Sequence, residues 1–82
     1  MTGEEIDLDV EDLTDKQFLL SEKAQRFPLI LRTRGEANTA ASLARKGWGE
    51  VEDGASGERI FRMSQAGCDA WDWFNDFVKG LE

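Results

Sequence analysis

The chain has 82 residues, with 17 Asp and Glu against ten Lys and Arg, no His and one Cys, for a formal charge of −7. That length allows one small domain, and three Trp and five Phe supply much of the apolar area its core needs. Without His the commonest metal ligand and general base are missing, and a lone Cys68 excludes an internal disulfide and leaves a zinc site almost without ligands.

Residues 1–13 alternate acids with Ile6, Leu8 and Val10. Period-two alternation fits either a half-exposed edge strand or a disordered acidic arm. Thr14 then offers an N-cap, followed by D-K-Q-F-L-L-S-E-K-A-Q-R, a first helix of about 12 residues. Asp15 suits its positive end, and Lys23 and Arg26 suit its negative end. Phe18 and Leu19 are the expected buried pair. Pro28 interrupts this helix, because the residue before a proline is driven to extended backbone. The run Pro28–Gly35 reads equally as a short helix started by Pro28 or as a strand built on Leu29-Ile30-Leu31.

From Asn38 the chain reads N-T-A-A-S-L-A-R-K-G-W-G-E-V-E-D-G-A-S-G-E-R-I-F-R-M. Asn38 is the expected N-cap of a helix over 38–46, with Ala40, Leu43 and Ala44 spaced for one buried face. Gly47 suits a left-handed cap, with Trp48 folding back on the helix. Trp48–Asp53 and Arg59–Met63 read as strands around a glycine-marked loop. Ser64 caps a last helix over Gln65 to about Lys79, in which Trp71, Phe74 and Val78 form one stripe and Trp73 falls away from it. Leu81 and Glu82 have the look of a vector junction, which leaves a domain over 14–80.

The patterns T-A-x-x-L-x-R-K-G-W-x-E-V and R-I-F-R-M-S-x-A-G, over residues 38–67, resemble the winged helix-turn-helix family. The resemblance implies an α+β fold: a winged helix-turn-helix of about three helices with a two- to three-stranded antiparallel wing sheet. It also implies a recognition helix at 38–46 and a wing at 53–59. The short Pro28–Gly35 segment departs from the family, since it leaves little room for a regular supporting helix.

Charge is unevenly spread along the chain. Residues 1–22 hold eight acids and one Lys, whereas residues 23–46 hold Lys23, Arg26, Arg32, Arg34, Arg45 and Lys46 against Glu36 alone. Residues 47–82 return to eight acids and three bases. A basic block thus coincides with the segment that the resemblance makes a recognition helix.

Catalysis has no foothold in this chain. Ser21, Ser42, Ser56 and Ser64 have no His to activate them, and Gly54-x-x-Gly57 does not lead into a helix N-terminus. The expectation is a non-enzyme that uses no cofactor and no metal. No apolar run reaches membrane-spanning length and no charged-then-apolar leader is present, so a cytoplasmic protein with no membrane partner is expected.

The resemblance implies a small DNA-binding transcriptional regulator of phage or plasmid type. Asn38, Thr39 and Ser42 would face base edges or phosphates of double-stranded DNA. Arg32, Arg34, Arg45 and Lys46 would neutralise phosphates, with Arg59 and Arg62 reaching the backbone from the wing. A homodimer would form through the C-terminal helix, with Trp71, Trp73 and Phe77 as interface residues. The alternative is an acidic protein-interaction module, or a phage-type inhibitor that mimics nucleic acid and binds a protein partner. The two readings diverge on the six bases of residues 23–46. One open basic face favours DNA, and dispersal among carboxylates favours a protein.

Overall fold

The computed structural model describes residues 8–81. Its elements are a 3-10 turn at Val10–Asp12, α1 at Asp15–Lys23, β1 at Leu29–Leu31, α2 at Arg34–Arg45, β2 at Gly49–Asp53, β3 at Arg59–Met63 and α3 at Gln65–Gly80. This is an α+β layout with a winged-helix-like arrangement, and the described strands form one antiparallel sheet in the order β1-β3-β2.

Capping chemistry sets where the helices begin. Thr14 Oγ1 accepts from the Gln17 amide at 3.2 Å, and Gln17 Oε1 accepts in return from the Thr14 amide at 3.0 Å. Two orphan donors are satisfied reciprocally, and α1 is fixed at Asp15. The same device starts α2. Thr33 Oγ1 accepts from the Glu36 amide at 3.1 Å, while Glu36 Oε1 accepts from Arg32 N at 2.6 Å and Thr33 N at 3.3 Å.

The helix expected over 38–46 therefore runs over Arg34–Arg45, and Asn38 is an exposed residue of its second turn, not its cap. The two open readings of Pro28–Gly35 also resolve here. Leu29, Ile30 and Leu31 pair with Phe61, Ile60 and Arg59, so the segment is a strand that leads within two residues into α2. No supporting helix fits between β1 and α2. α1 supports α2 instead, by direct contact: buried Gln17 donates from Nε2 to Ser42 Oγ at 2.8 Å.

Lys46 and Gly47 end α2. Gly47 takes φ +91°, which lets its amide reach Ala44 O at 3.1 Å and the Trp48 amide reach Leu43 O at 3.0 Å. This pair of bonds is the Schellman closure, and it needs a residue free of the Cβ penalty at positive φ. It turns Trp48 into the core, where it is buried with Leu43, Ala40 and Phe61. Ser64 then accepts from the Gly67 amide and donates to Gly47 O at 2.8 Å, tying the start of α3 to the end of α2.

The sheet has one face on the core. Leu29, Phe61 and Val51 are opposite one another across the three strands and point inward. Ile30, Ile60, Glu52, Glu50 and Arg62 alternate with them and occupy the outer face.

Beneath α1, Trp71 Nε1 donates to Ser21 Oγ at 3.1 Å, and Ser21 Oγ donates to Phe18 O at 3.1 Å. Both polar groups are thus paired inside the core, where an unpaired one would cost about 1–3 kcal/mol. Phe18, Trp71 and Phe74 pack edge-on or tilted, with ring centroids 5.0 to 6.0 Å apart. Of the buried pair expected in α1, Phe18 packs against this core, whereas Leu19 is exposed and Leu20 takes the buried place.

The acidic N-terminal arm divides in two. Residues 1–7 lie outside the described residues. From Leu8 onward the segment is neither a strand nor a free arm. Asp9 caps the 3-10 turn by accepting from Glu11 N at 3.0 Å, and Val10 is buried in the core. Apolar burial of Val10, flanked by half-buried Leu8 and Leu13, outweighs the alternation pattern.

Candidate nucleic-acid interface

Helix geometry divides the side chains of α2 into three sets. Ala40 and Leu43 face the core, with Ala37 packed beside them. Arg34, Asn38 and Arg45 follow one another at four- and seven-residue steps, with half-buried Ala41 between the last two, and form one stripe. All three polar residues are exposed. Thr39, Ser42 and Lys46 fall on the side toward α1, and the polar group of each is already hydrogen-bonded within the fold. Thr39 Oγ1 donates to Gly35 O at 2.9 Å, Ser42 Oγ donates to Thr39 O at 2.7 Å, and Lys46 Nζ donates to Gln17 Oε1 at 3.3 Å.

The seven expected contacts in and just before α2 therefore do not form one set. Arg34, Asn38 and Arg45 share an open stripe, and Arg32 is exposed just before the helix. Thr39, Ser42 and Lys46 hold α1 and α2 together or satisfy backbone within α2. Ser42 in particular is half-buried and already uses its hydroxyl both as donor and as acceptor, so it has no free hydrogen for a base edge.

A groove of about 270 Å³ runs beside this stripe, between α1 and the N-terminal half of α2. Lys16 and Lys23, seven residues apart on one face of α1, line it opposite Thr33, Gly35, Glu36 and Thr39. In the sequence Lys16 falls in the acidic block and Lys23 opens the basic block, and neither is among the expected DNA contacts. Their i, i+7 spacing was the signal that they share a face.

The wing is different in character. Arg62 Nε sits 2.7 Å from Glu52 Oε2 across β2 and β3, and Arg59 Nε sits 3.8 Å from Asp53 Oδ1. Exposed pairs of this kind contribute about 0–1 kcal/mol. They nevertheless neutralise both wing arginines, in a hairpin that also carries Glu50 and Glu58. Among the described residues, by contrast, no carboxylate lies within ion-pair distance of Lys23, Arg26, Arg32, Arg34, Arg45 or Lys46.

The three residues expected at a protein interface also separate. Trp71 is 2% exposed, its ring packed on Phe18 and its indole N–H bonded to Ser21, so it belongs to the core and presents nothing to a partner. Trp73 and Phe77 are 65% and 46% exposed and stack on each other, with centroids 5.5 Å apart and planes 6° from parallel.

Cys68 lies half-buried in α3. Partial burial, and then the charges of Asp72 and Asp69, push its thiol above the ordinary range and disfavour the thiolate. We expect iodoacetamide to modify Cys68 more slowly at pH 8 than it modifies a small free thiol. The midpoint of its rate–pH profile should lie above that of the small thiol and fall back in Asp72→Asn.

Comparison with family models, with curated proteins and with solved structures finds no match for this chain. Among the described residues no helix is long and apolar enough to cross a membrane, and no group of three His, Cys, Asp or Glu is placed to hold a metal ion.

Proposed function

We propose that this chain is a small winged-helix DNA-binding protein, a transcriptional regulator that docks double-stranded DNA on the exposed stripe of α2. One observation carries the reading. The bases of residues 23–46 are exposed and free of ion pairs among the described residues, although the chain is rich in carboxylates. Exposed cations that form no internal ion pair are what a polyanion can recruit at little desolvation cost.

In this reading Asn38 is the one residue of the stripe able to offer both a donor and an acceptor to a base edge. Arg34 and Arg45 flank it and neutralise phosphates, and Lys16 and Lys23 extend the cationic surface along α1. The wing arginines, already paired, contribute less than the resemblance implies. Few side chains reach bases, so the docking is mainly electrostatic, with modest sequence preference.

The test is a titration of fluorescent duplex DNA at low and moderate salt, comparing the parent with Arg34→Ala/Arg45→Ala. Each phosphate neutralised steepens the log K against log salt plot by about 0.9, so the double variant should bind at least about tenfold more weakly with a slope flatter by about 2. Both substitutions are on the surface, and the thermal midpoint should barely move. Absence of binding by the parent at low salt, where attraction is strongest, would overturn the reading.

A further inference from the structure

A second surface lies away from α2 and has the opposite charge. Between the 3-10 turn and α3 is a groove of about 580 Å³, the larger of the two described here. Val10, Ala70 and Phe74 give it an apolar floor, and the exposed ring of Trp73 forms one wall. Asp9, Asp12 and Asp69 stand at its margin. None of these carboxylates is in an ion pair among the described residues. Trp73 continues into Phe77 along the same face of α3, an aromatic ridge in water on a helix that also carries Asp72 and Asp76.

Charge decides what can cover such a surface. In a two-fold dimer the same patch faces itself, so Asp69, Asp72 and Asp76 of one copy would meet their equivalents, with Lys79 the single base on each α3. Two chains of formal charge −7 would approach on their acidic sides. Nucleic acid and anionic lipid are repelled for the same reason. A cation on an aliphatic stem fits on every count. Its methylenes cover the apolar floor, its charge lies against the open face of Trp73, and the carboxylates at the margin accept its hydrogen bonds.

We propose that the groove and the Trp73–Phe77 ridge are a docking site for a basic segment of a protein partner, one that presents Arg or Lys beside an apolar residue. The site is separate from the α2 stripe, so the chain has two faces of opposite sign, and the partner can bind while α2 is occupied. The aromatic anchor supplies most of the affinity, and the carboxylates supply the choice of sign.

The experiment uses the full chain, labelled with ¹⁵N, and a synthetic peptide that alternates Arg and Leu, at low and moderate salt. A Glu-Leu peptide of equal length is the control. The indole N–H signal of Trp73 should shift on titration with the basic peptide, while those of buried Trp48 and Trp71 stay in place. Trp73→Ala should weaken binding at least about tenfold, as expected for an aromatic anchor. Asp12→Asn/Asp69→Asn should weaken it and lower its salt dependence.

Arg34→Ala/Arg45→Ala should bind the peptide as the parent does, so failure of the DNA reading would leave this one standing. Equal binding by Trp73→Ala and parent would overturn the proposal in favour of diffuse attraction. Sedimentation showing a dimer that Trp73→Ala abolishes would overturn it in favour of self-association. Binding of the Glu-Leu peptide would overturn the charge argument.

Discussion

Trp71→Ala should lower the unfolding free energy by about 3–5 kcal/mol, the range for truncating a large buried aromatic. Trp73→Ala, two residues along the same helix, should change it by less than about 0.5 kcal/mol, as surface substitutions do. Both sites are tryptophan in α3, so helix propensity and composition change identically, and the difference isolates burial. Trp71 leaves a void between Phe18 and Phe74 and strips Ser21 Oγ of its only indole donor. Phe18→Ala should be less costly than Trp71→Ala, because Phe18 is only half-buried.

For a domain of this size each kcal/mol is worth about 4–8 °C in the thermal midpoint, so Trp71→Ala should melt at least about 12 °C below the parent. Chemical denaturation should give the same order with m unchanged. Equal losses at the two positions would mean that α3 is rotated relative to the faces assigned here. The docking site built on Trp73 would then fall as well.

What the sequence made legible, and what it hid, follows from how local each signal is. Thr14 and Ser64 as caps, Gly47 as a left-handed terminator and the β2–β3 hairpin are all decided within five residues, and each stands within a residue or two of its expected place. The start of α2 was also local, in Thr33-Arg34-Gly35-Glu36. Between Thr33 and Asn38, only Thr33 has a Glu three residues later to complete a capping box.

Other features are tertiary, and no local pattern carries them. Alternation in Leu8-Asp9-Val10 is the same whether Val10 enters a sheet or a core. Its burial is decided by α3 lying alongside. Trp71 and Trp73 are equally aromatic in sequence, and only the direction of α3 across Phe18 sends one inward. At the basic surface, residue type and spacing did not separate exposed Arg34, Asn38 and Arg45 from the residues that pack toward α1. They could not reveal that Ser42 and Lys46 are held by Gln17, a partner 25 and 29 residues away. Nor could they reveal that α1 brings Lys16 and Lys23 alongside.

The second large effect belongs to Gly49, the first residue of β2. A Cβ built there would lie 2.7 Å from Cζ and 2.9 Å from Cε1 of Phe61, and closer still to the carbonyl oxygen of Arg62. Phe61 is fully buried and faces Val51 and Leu29 across the sheet, so its ring cannot swing aside. The carbonyl belongs to β3, the central strand, and cannot give way without moving the register on both sides.

Gly49→Ala should therefore cost about 3 kcal/mol, the upper part of the usual range for forcing atoms into a packed core. Gly is ordinarily a poor strand residue, and replacing it by Ala would gain a few tenths if space were free, so the sign of the change is itself diagnostic. Gly57→Ala serves as the comparison. It meets no atom within 4 Å but sits at φ +87°, so its cost is backbone strain confined to the hairpin loop, about 1–2 kcal/mol. Urea unfolding of both variants beside the parent measures the two terms separately. In Gly49→Ala the amide signals of Phe61, Met63 and Trp48 and the methyl signal of Met63 should shift together, because β2 can accept the extra carbon only by moving away from the residues that hold α2 to the sheet. A stabilised Gly49→Ala would mean that β2 stands farther from β3 than a paired strand can.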